Sequence, residues 1–433
     1  MCRGIKCLDL KIMSVAVVKF CALLERTKNY SSVVKHYKSL LLELKELVEN
    51  ASIKKIKQVQ NDLFQTISLI LGHKTIADNV RIPIMERLIA EQKIELKENV
   101  DDTFQALANL LHGFHCQVHD KLKAALSLIA IEGIKAIKCF SNNKAIRSSV
   151  IDLFYKLIIT IGPELIQALK ELMELLISNT KDTQPLNEVI VLLTSAVSSW
   201  KSKGAVLAKE AFEFVFNAVK GLGIPKVKIS DWEKSILDIV FSFIKLLKTI
   251  AIDDVLTFFE LPLDKFKELI RYVAEWTCCK LDETIRRFAL SYFVTLLGSL
   301  LQLKSICEGG FRMIAEYSKK EATSLITKEE HLVYMRELME VLKVVGVRPL
   351  EVIDPFKAVD SQSLNEVITV QFFVYKIVGL EFVTLLHGWI STISIESLQK
   401  VLEKLGEANN IQTYKEKLKK IIRKEHRNKL VPN

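Results

Sequence analysis

Glycine and proline are scarce in this sequence, with 15 glycines and 8 prolines among 433 residues. All-β folds need a turn every few residues, and those turns rely on glycine and proline. Their scarcity, together with abundant leucine, lysine, glutamate, isoleucine and alanine, argues against an all-β fold and favours helices. Apolar residues make up 49 % of the chain, which is ample for a continuous core.

Motifs for familiar catalytic chemistry are missing. The sequence contains no P-loop, no GxGxxG and no GxSxG pattern. The stretch "GLGIPK" has two glycines at the right gap, but it continues into a proline and follows no predicted strand. Asp253 and Asp254 are adjacent acids whose simplest role is to complement a helix dipole. We therefore expect no catalytic site, no cofactor and no enzyme activity.

Paired cysteines are lacking too. None of the eight cysteines forms a CxxC motif, so they predict reduced, mostly buried thiols rather than a metal or redox site. They are Cys2, Cys7, Cys21, Cys116, Cys139, Cys278, Cys279 and Cys307.

A long apolar run of the kind that spans a membrane is also absent. The longest run, 288–303, falls just short of a bilayer span and contains polar residues, so it predicts a buried core helix. Near the N-terminus, Asp9, Lys11 and Lys19 interrupt the apolar stretch that a signal peptide would need. We therefore expect an intracellular protein that is cytoplasmic, nuclear or both.

Positive charge is in excess. Lysine and arginine number 61 against 51 acids, the formal net charge is +10, and the pI is near 9.0. This balance suits acidic proteins, nucleic acid or an anionic membrane as partners. A lysine-rich solvated surface explains the same numbers, so composition alone leaves both alternatives open.

Helical periodicity is clearest at 163–178, where apolar residues recur at i, i+1, i+4, i+7 and i+8 and Pro163 suits a first helical turn. The stripe consists of Leu165, Ile166, Leu169, Leu172, Met173, Leu176 and Ile177. Capping boxes are predicted at Ser230 with Glu233, Thr327 with Glu330, and Ser363 with Glu366, and simple N-caps at Ser141, Thr183 and Asp282. The prolines, Pro83 included, are predicted at helix boundaries.

The predicted helices recur with a rhythm. They lie at 142–161, 163–178, 184–201, 204–221, 231–250, 263–280, 283–303, 305–318 and 328–345. Every second start is spaced by about 42 to 52 residues, close to the period of HEAT and armadillo repeats. On this spacing and on stripes such as 163–178, the chain resembles the HEAT/armadillo α-solenoid class over about residues 100–345. The Asp and Arg of HEAT repeats are not visible at fixed positions.

This resemblance implies an all-α fold, an elongated α-solenoid of antiparallel helix pairs, with a large irregular helical domain as the alternative. We predict an N-terminal helical region at 1–95, a helical-repeat core at 96–346 and a C-terminal helical subdomain at 347–433. Pro349 and Pro355 punctuate the second boundary. Further helices are predicted near 364–390 and 395–407, before a basic last helix.

The stretch "LHGFHCQVHD", residues 111–120, holds three histidines and a cysteine. On a helix, His112, His115, Cys116 and His119 would share one face. The outer histidines would then lie about 10 Å apart along the axis, too far to reach one zinc ion through bonds of about 2 Å. Gly113 also favours a bend or a helix end. We therefore predict histidines at a helix junction and no metal site, with a metal-dependent enzyme that takes its remaining ligands from elsewhere in the fold as the third alternative.

The basic tail is the most distinctive charged feature. An apolar stripe of Ile411, Tyr414, Leu418, Ile421 and Ile422 predicts that this helix packs on its predecessors and presents its cations outward. Contact with a polyanion or an acidic partner is one interpretation, and a solvated face or a localisation signal are others. The candidate contact residues are Lys415, Lys417, Lys419, Lys420, Arg423, Lys424 and Arg427.

Together these features predict a non-catalytic scaffold or adaptor that binds other proteins along a helical-repeat surface. The alternative is a nuclear protein that contacts nucleic acid or chromatin through its basic surface.

Overall fold

The chain is all-α in the parts that the structure, a computed structural model, describes. These are residues 57–73, 76–96, 99–178, 184–223, 231–305, 329–358, 360–390, 393–407 and 411–430, and no strand occurs in them. The chain divides into two compact units, an N-terminal unit up to Trp200 and a C-terminal unit from Lys201. The predicted regions 1–95, 96–346 and 347–433 rest on repeat rhythm and punctuation, and they stay a prediction.

The N-terminal unit is a stack of helix pairs in two layers. Helices α1, α3, α5 and α7 contact one another in turn, α2 contacts α4, and α4 contacts α6. Contacts also join α2 to α3, α4 to α5, and α6 to α7. The helices are α1 (Lys57–Leu71), α2 (Asp78–Glu95), α3 (Val100–Leu110), α4 (Asp120–Cys139), α5 (Lys144–Thr160), α6 (Ile166–Ser178) and α7 (Gln184–Trp200).

The C-terminal unit repeats this arrangement. One layer contains α9, α11, α13 and α16, each in contact with the next, and α8, α10 and α12 form the other. The helices are α8 (Ser202–Gly221), α9 (Asp231–Asp253), α10 (Leu263–Trp276), α11 (Glu283–Ser305), α12 (Glu329–Val345), α13 (Ser361–Val378), α14 (Leu380–Trp389), α15 (Ile395–Glu407) and α16 (Ile411–Leu430). Contact between every second helix is how stacked helix pairs bury a continuous core.

The stripe at 163–178 is core, as its periodicity predicts. Leu169 and Leu172 are fully buried, and Leu165, Met173 and Leu176 are nearly so. A short 3-10 turn at Pro163–Leu165 precedes α6, so the helix proper begins three residues later than predicted. Packing of this face, rather than helix propensity, therefore holds α6 in place.

Several predicted boundaries are wrong for local reasons. Pro83 lies inside α2, where it removes one hydrogen bond to a carbonyl on an exposed side of the helix that water can reach. The single helix predicted at 364–390 is broken at Gly379, whose φ of 60° is unfavourable for other residues. The boundary between α13 and α14 is therefore a matter of backbone conformation.

Predicted N-caps met mixed outcomes. Asp282 is confirmed, since its carboxylate accepts from the Ile285 backbone N–H at 2.9 Å. Asn143, not Ser141, caps α5, because its side-chain oxygen accepts from the backbone N–H groups of Ala145 and Ile146. Ser363 is buried in the first turn of α13, which begins earlier, after Asp360. The caps at Ser230, Thr327 and Thr183, and the predicted helix at 305–318 beyond Ser305, lie outside the described residues.

Candidate functional surface

The histidine-rich stretch at 111–120 is a helix junction. His115 and Cys116 are exposed, and His119 is the N-cap of α4, where its Nδ1 accepts from the Lys121 backbone N–H at 3.3 Å. His112 is half-buried, with its Nδ1 3.4 Å from Lys156 Nζ. Over the described ranges, no group of three His, Cys, Asp or Glu side chains is placed to hold a metal ion.

Gly113 lies in close contact with the end of α1. Its backbone N–H donates to Ser68 Oγ at 2.6 Å, and a Cβ on Gly113 would lie only 2.4 Å from the Ser68 carbonyl oxygen. Gly72 approaches equally closely, since its Cβ would meet the Gly113 carbonyl oxygen at 2.1 Å. The glycines permit the end of α1 to pack against the junction, which is a structural role.

The cysteines in the described ranges are less buried than predicted. Cys116 and Cys139 are exposed, Cys278 is half-buried and Cys279 is buried. The last two follow the end of α10 at Trp276 rather than lying on a helix. Burial raises the pKa of the Cys278 thiol, which disfavours the reactive thiolate.

The basic helix α16 packs on α13 through its apolar stripe. Tyr414, Leu418 and Ile422 are buried, and the Tyr414 ring meets Phe372 edge-on with 5.1 Å between centroids. Ile421 is only half-buried. The predicted docking of this helix is therefore seen in the structure, and it determines where each cation points.

The seven candidate cations do not form one strip. Lys415 and Lys419 are half-buried on one flank of α16, while Lys417, Lys420 and Lys424 are exposed elsewhere. Arg423 and Arg427 engage a preceding loop. Arg423 Nε donates to the Pro355 carbonyl at 3.1 Å, and the Arg427 guanidinium lies 5.0 Å from the centroid of the Phe356 ring.

Lys415 and Lys419 line a groove with cations from two other helices. The groove has a volume of about 550 Å³, and we call it the basic groove. Its walls come from α9, α11, α13 and α16, which form one layer of the C-terminal unit. It is lined by Lys248, Arg287, Phe288, Ser291, Gln362, Asn365, Glu366, Gln412, Lys415 and Lys419.

A buried ion pair positions Arg287 in the basic groove. The neighbouring Arg286 is buried and pairs with Asp360, the N-cap of α13, and also donates to the Cys279 carbonyl at 3.0 Å. Asp360 accepts in addition from the Asp354 backbone N–H at 2.9 Å. The first turns of α11 and α13 are therefore held together, which brings Arg287 beside Gln362.

Two of the four groove cations donate hydrogen bonds to neutral groups. Lys248 Nζ donates to Ser291 Oγ at 2.7 Å, and Arg287 donates to Gln362 Oε1. Both cations also lie near the Phe288 ring, at 5.7 and 5.8 Å from its centroid. Within the described part of the chain, none of Lys248, Arg287, Lys415 and Lys419 forms an ion pair with a carboxylate.

The other layer of the same unit is balanced differently, because its lysines pair with glutamates across neighbouring helices. These pairs join Lys220 to Glu268, Lys265 to Glu213, and Lys267 to Glu337. The hydrogen bond from Lys220 lowers the pKa of Glu268. Neutralised charges of this kind hold helices together weakly, and the groove cations have no such ion pairs among the described residues.

Two groups in the basic groove have shifted pKa values, and burial is the largest cause of both shifts. Burial raises the pKa of the half-buried Glu366 carboxyl, although Lys415, Lys248 and Arg287 act to lower it. The pKa of Lys419 is lowered, first by burial and then by the like charges of Arg423 and Lys415. A bound anion would relieve the repulsion among these cations.

Sequence reasoning missed Lys248, Arg287 and Phe288. They lie on helices predicted at 231–250 and 283–303, but no local pattern distinguishes them from other charged or aromatic residues. The adjacent arginines 286 and 287 before an apolar run were the one available signal. In the structure the first is buried in an ion pair and the second faces the groove.

No helix of the described ranges is both long and apolar enough to cross a membrane.

Comparison with known proteins adds little. No family model matches the sequence, and no curated protein matches it. A solved structure of the TSC2 N-terminus aligns with 91 % of this chain and 94 % of its own, at 10 % identity and a TM-score of 0.33. At that score the likeness says nothing further about this chain's fold or function.

Proposed function

We propose that the protein is a non-catalytic scaffold, resembling the HEAT/armadillo class, that binds partner proteins along the surface of its stacked helix pairs. The basic groove is the contact that we assign to acidic segments of those partners. The proposal includes an intracellular location, cytoplasmic or nuclear.

One observation carries the proposal. Four cations from three helices of one layer line a single groove and have neutral hydrogen-bond partners, or none, rather than carboxylates among the described residues. Partly buried like charges that outnumber the one carboxylate of the groove, Glu366, favour an anionic ligand, since complementary charge steers encounter and sets specificity. Stacked helix pairs present such grooves on a rigid support.

Affinity purification of the full chain, with identification of co-purifying proteins, supplies candidate partners. Each partner is then purified and mixed with the chain, and complex formation is measured. An Arg287→Gln, Lys415→Gln double variant should weaken the complex by about tenfold, because each lost cation removes a charge-assisted contact. A Lys417→Gln, Lys420→Gln double variant is the matched control, since it removes the same charge outside the groove.

Equal weakening by both double variants would show that the complex depends on net charge and not on the groove. Failure of every purified candidate to bind the chain directly would contradict the scaffold proposal itself.

Contact with nucleic acid is the second candidate function, and the cations of α16 favour it. A gel-shift titration with DNA and RNA at increasing salt separates the two, because neutralising phosphates releases counterions and gives a steep salt dependence. Under the scaffold proposal, binding is weak and both double variants reduce it alike. Tight binding with a steep salt dependence would favour the nucleic-acid alternative, whichever of the two double variants reduces it.

A further inference from the structure

We propose that the basic groove binds a phosphorylated side chain in a partner protein, and that Glu366 competes with the phosphate for the same cations. This inference rests on the proposed function and adds the chemistry of the ligand. It assigns Glu366 a role that reduces affinity, which is the opposite of the role expected for an ordinary contact residue.

The first step is the charge of the basic groove. Lys248, Arg287, Lys415 and Lys419 are its lining cations, and Glu366 is the one acid among its lining residues. The lining is therefore positive even with Glu366 ionised. A phosphorylated side chain has a charge of about −1.5 to −2 at neutral pH, so a single phosphate does not exhaust this excess.

The groove offers several kinds of hydrogen-bond donor to a ligand. A phosphate presents three strong acceptor oxygens, and an arginine fork can bind two of them at once. Besides its cations, the groove has a hydroxyl at Ser291 and amides at Gln362, Asn365 and Gln412. These donors exceed what one carboxylate can use, and they match a phosphate better.

The aromatic content and the volume of the groove favour a peptide over a nucleic acid. Single strands are usually held by aromatic rings on which successive bases stack. Phe288 is the one aromatic residue of the groove, and it already meets Phe241 edge-on at 4.4 Å between centroids, with Lys248 and Arg287 near it. The volume of about 550 Å³ suits one modified side chain and its neighbours.

The fourth step is the position of Glu366. It lies on α13 and interacts with cations of α9, α11 and α16, which are the groups that would surround a bound phosphate. A phosphate that reaches these cations is repelled by the ionised carboxylate. Neutralising Glu366 without changing its shape should therefore tighten phosphate binding. If Glu366 instead served to hold the cations in place, the same change would weaken binding.

The test uses the full chain and labelled short peptides with random flanking residues. One pool contains a central phosphoserine, a second serine and a third glutamate, and fluorescence anisotropy reports binding. We expect the phosphoserine pool to bind at least about tenfold more tightly than the serine pool. Arg287→Gln with Lys415→Gln should weaken this binding about tenfold, while the Lys417→Gln, Lys420→Gln control stays within about twofold.

The direction in which Glu366→Gln changes the affinity for the phosphoserine pool tests whether Glu366 competes with the phosphate. We expect it to tighten binding of the phosphoserine pool by about threefold or more. Arg287→Lys retains the charge but loses the fork, and it should give an intermediate loss. Thermal melts of every variant confirm folding, and Glu366→Gln cannot show tighter binding through misfolding.

The contrary outcomes are distinct. If the glutamate pool binds as tightly as the phosphoserine pool, the phosphate inference is wrong while the proposed function stands. If no pool binds, the groove has neither role. Weaker binding by Glu366→Gln overturns the competition. The peptide assignment is overturned if a DNA oligonucleotide binds more tightly than the phosphoserine pool and responds to the same variants. It is also overturned if inorganic phosphate alone binds with the same affinity as that pool.

Discussion

Two grooves of similar size, one in each unit, differ in how their charges are balanced. The groove between α4 and α6 of the N-terminal unit has a volume of about 500 Å³, against about 550 Å³ for the basic groove. Beside the first, Lys123 pairs with Glu164 at 3.1 Å and Lys138 with Glu171 at 2.6 Å. In the second, Lys248 and Arg287 donate to neutral groups, and Glu366 is the one acid among the lining residues.

Charged side chains on the surface of stacked helices therefore have two different roles. Where opposite charges face each other across neighbouring helices, they pair with one another and leave little attraction for a ligand. Where several positive charges lie close together, the surface of the stacked helices has a positive electrostatic potential, which a bound anion can neutralise. The apolar side chains Ile131 and Ile134 line the first groove, so the two surfaces also differ in polarity.

Leu418→Ala should produce the largest combined effect. Leu418 lies on α16 and is fully buried, so its truncation should lower the free energy of unfolding by about 2–5 kcal/mol. It should also weaken anion binding, because Lys415 and Lys419 depend on the docking of α16. Urea denaturation and anisotropy with the phosphoserine pool measure the two effects. Normal binding despite lost stability would show that the cations do not depend on this packing.

Leu172→Ala should destabilise the N-terminal unit without touching the basic groove. Leu172 lies on α6 and is fully buried, and its loss should also cost about 2–5 kcal/mol. Binding of the phosphoserine pool at temperatures where the variant is folded should be unchanged. A loss of stability below about 0.5 kcal/mol would contradict the core assignment of this face.

Tyr414→Phe should leave stability unchanged or raise it by up to about 2 kcal/mol. The Tyr414 ring is fully buried, and its hydroxyl has no hydrogen-bond partner among the described groups. Burial accordingly raises the pKa of this hydroxyl far above its usual value. Calorimetry of the two proteins measures the difference. A clear loss of stability would reveal a polar partner for the hydroxyl.

Lys138→Gln should have the smallest effect. The Lys138 and Glu171 side chains are 50 % and 49 % exposed, so their ion pair should contribute less than about 1 kcal/mol to stability. Binding of the phosphoserine pool should be the same as for the wild-type chain. A loss of binding similar to that of the basic-groove variant would remove the distinction between the two grooves.

Much of the helical architecture was predictable because helix signals are local. The stripe at 163–178 repeats with the helical period, and its buried members are the ones that the period selects. The helix predicted at 395–407 has those limits in the structure, and 184–201 is one residue too long. The predicted helix limits were wrong at two kinds of position. At Gly379 the conformation of one backbone position breaks the helix, and near Ser363 the helix begins after another possible N-cap, Asp360, three residues earlier.

The basic surface was only half predictable, and the reason is physical. Local sequence patterns were enough to predict the all-α fold, the apolar stripes of the helices and the docking face of α16, since each depends on residues three or four positions apart. Which cations lie close together depends instead on how distant helices pack. Lys248, Arg287 and Lys415 are far apart in the chain, and packing of α9, α11, α13 and α16 brings them to one groove with Glu366 as the one acid among its lining residues. Charge balance between distant residues is a property of that packing, and no local pattern encodes it.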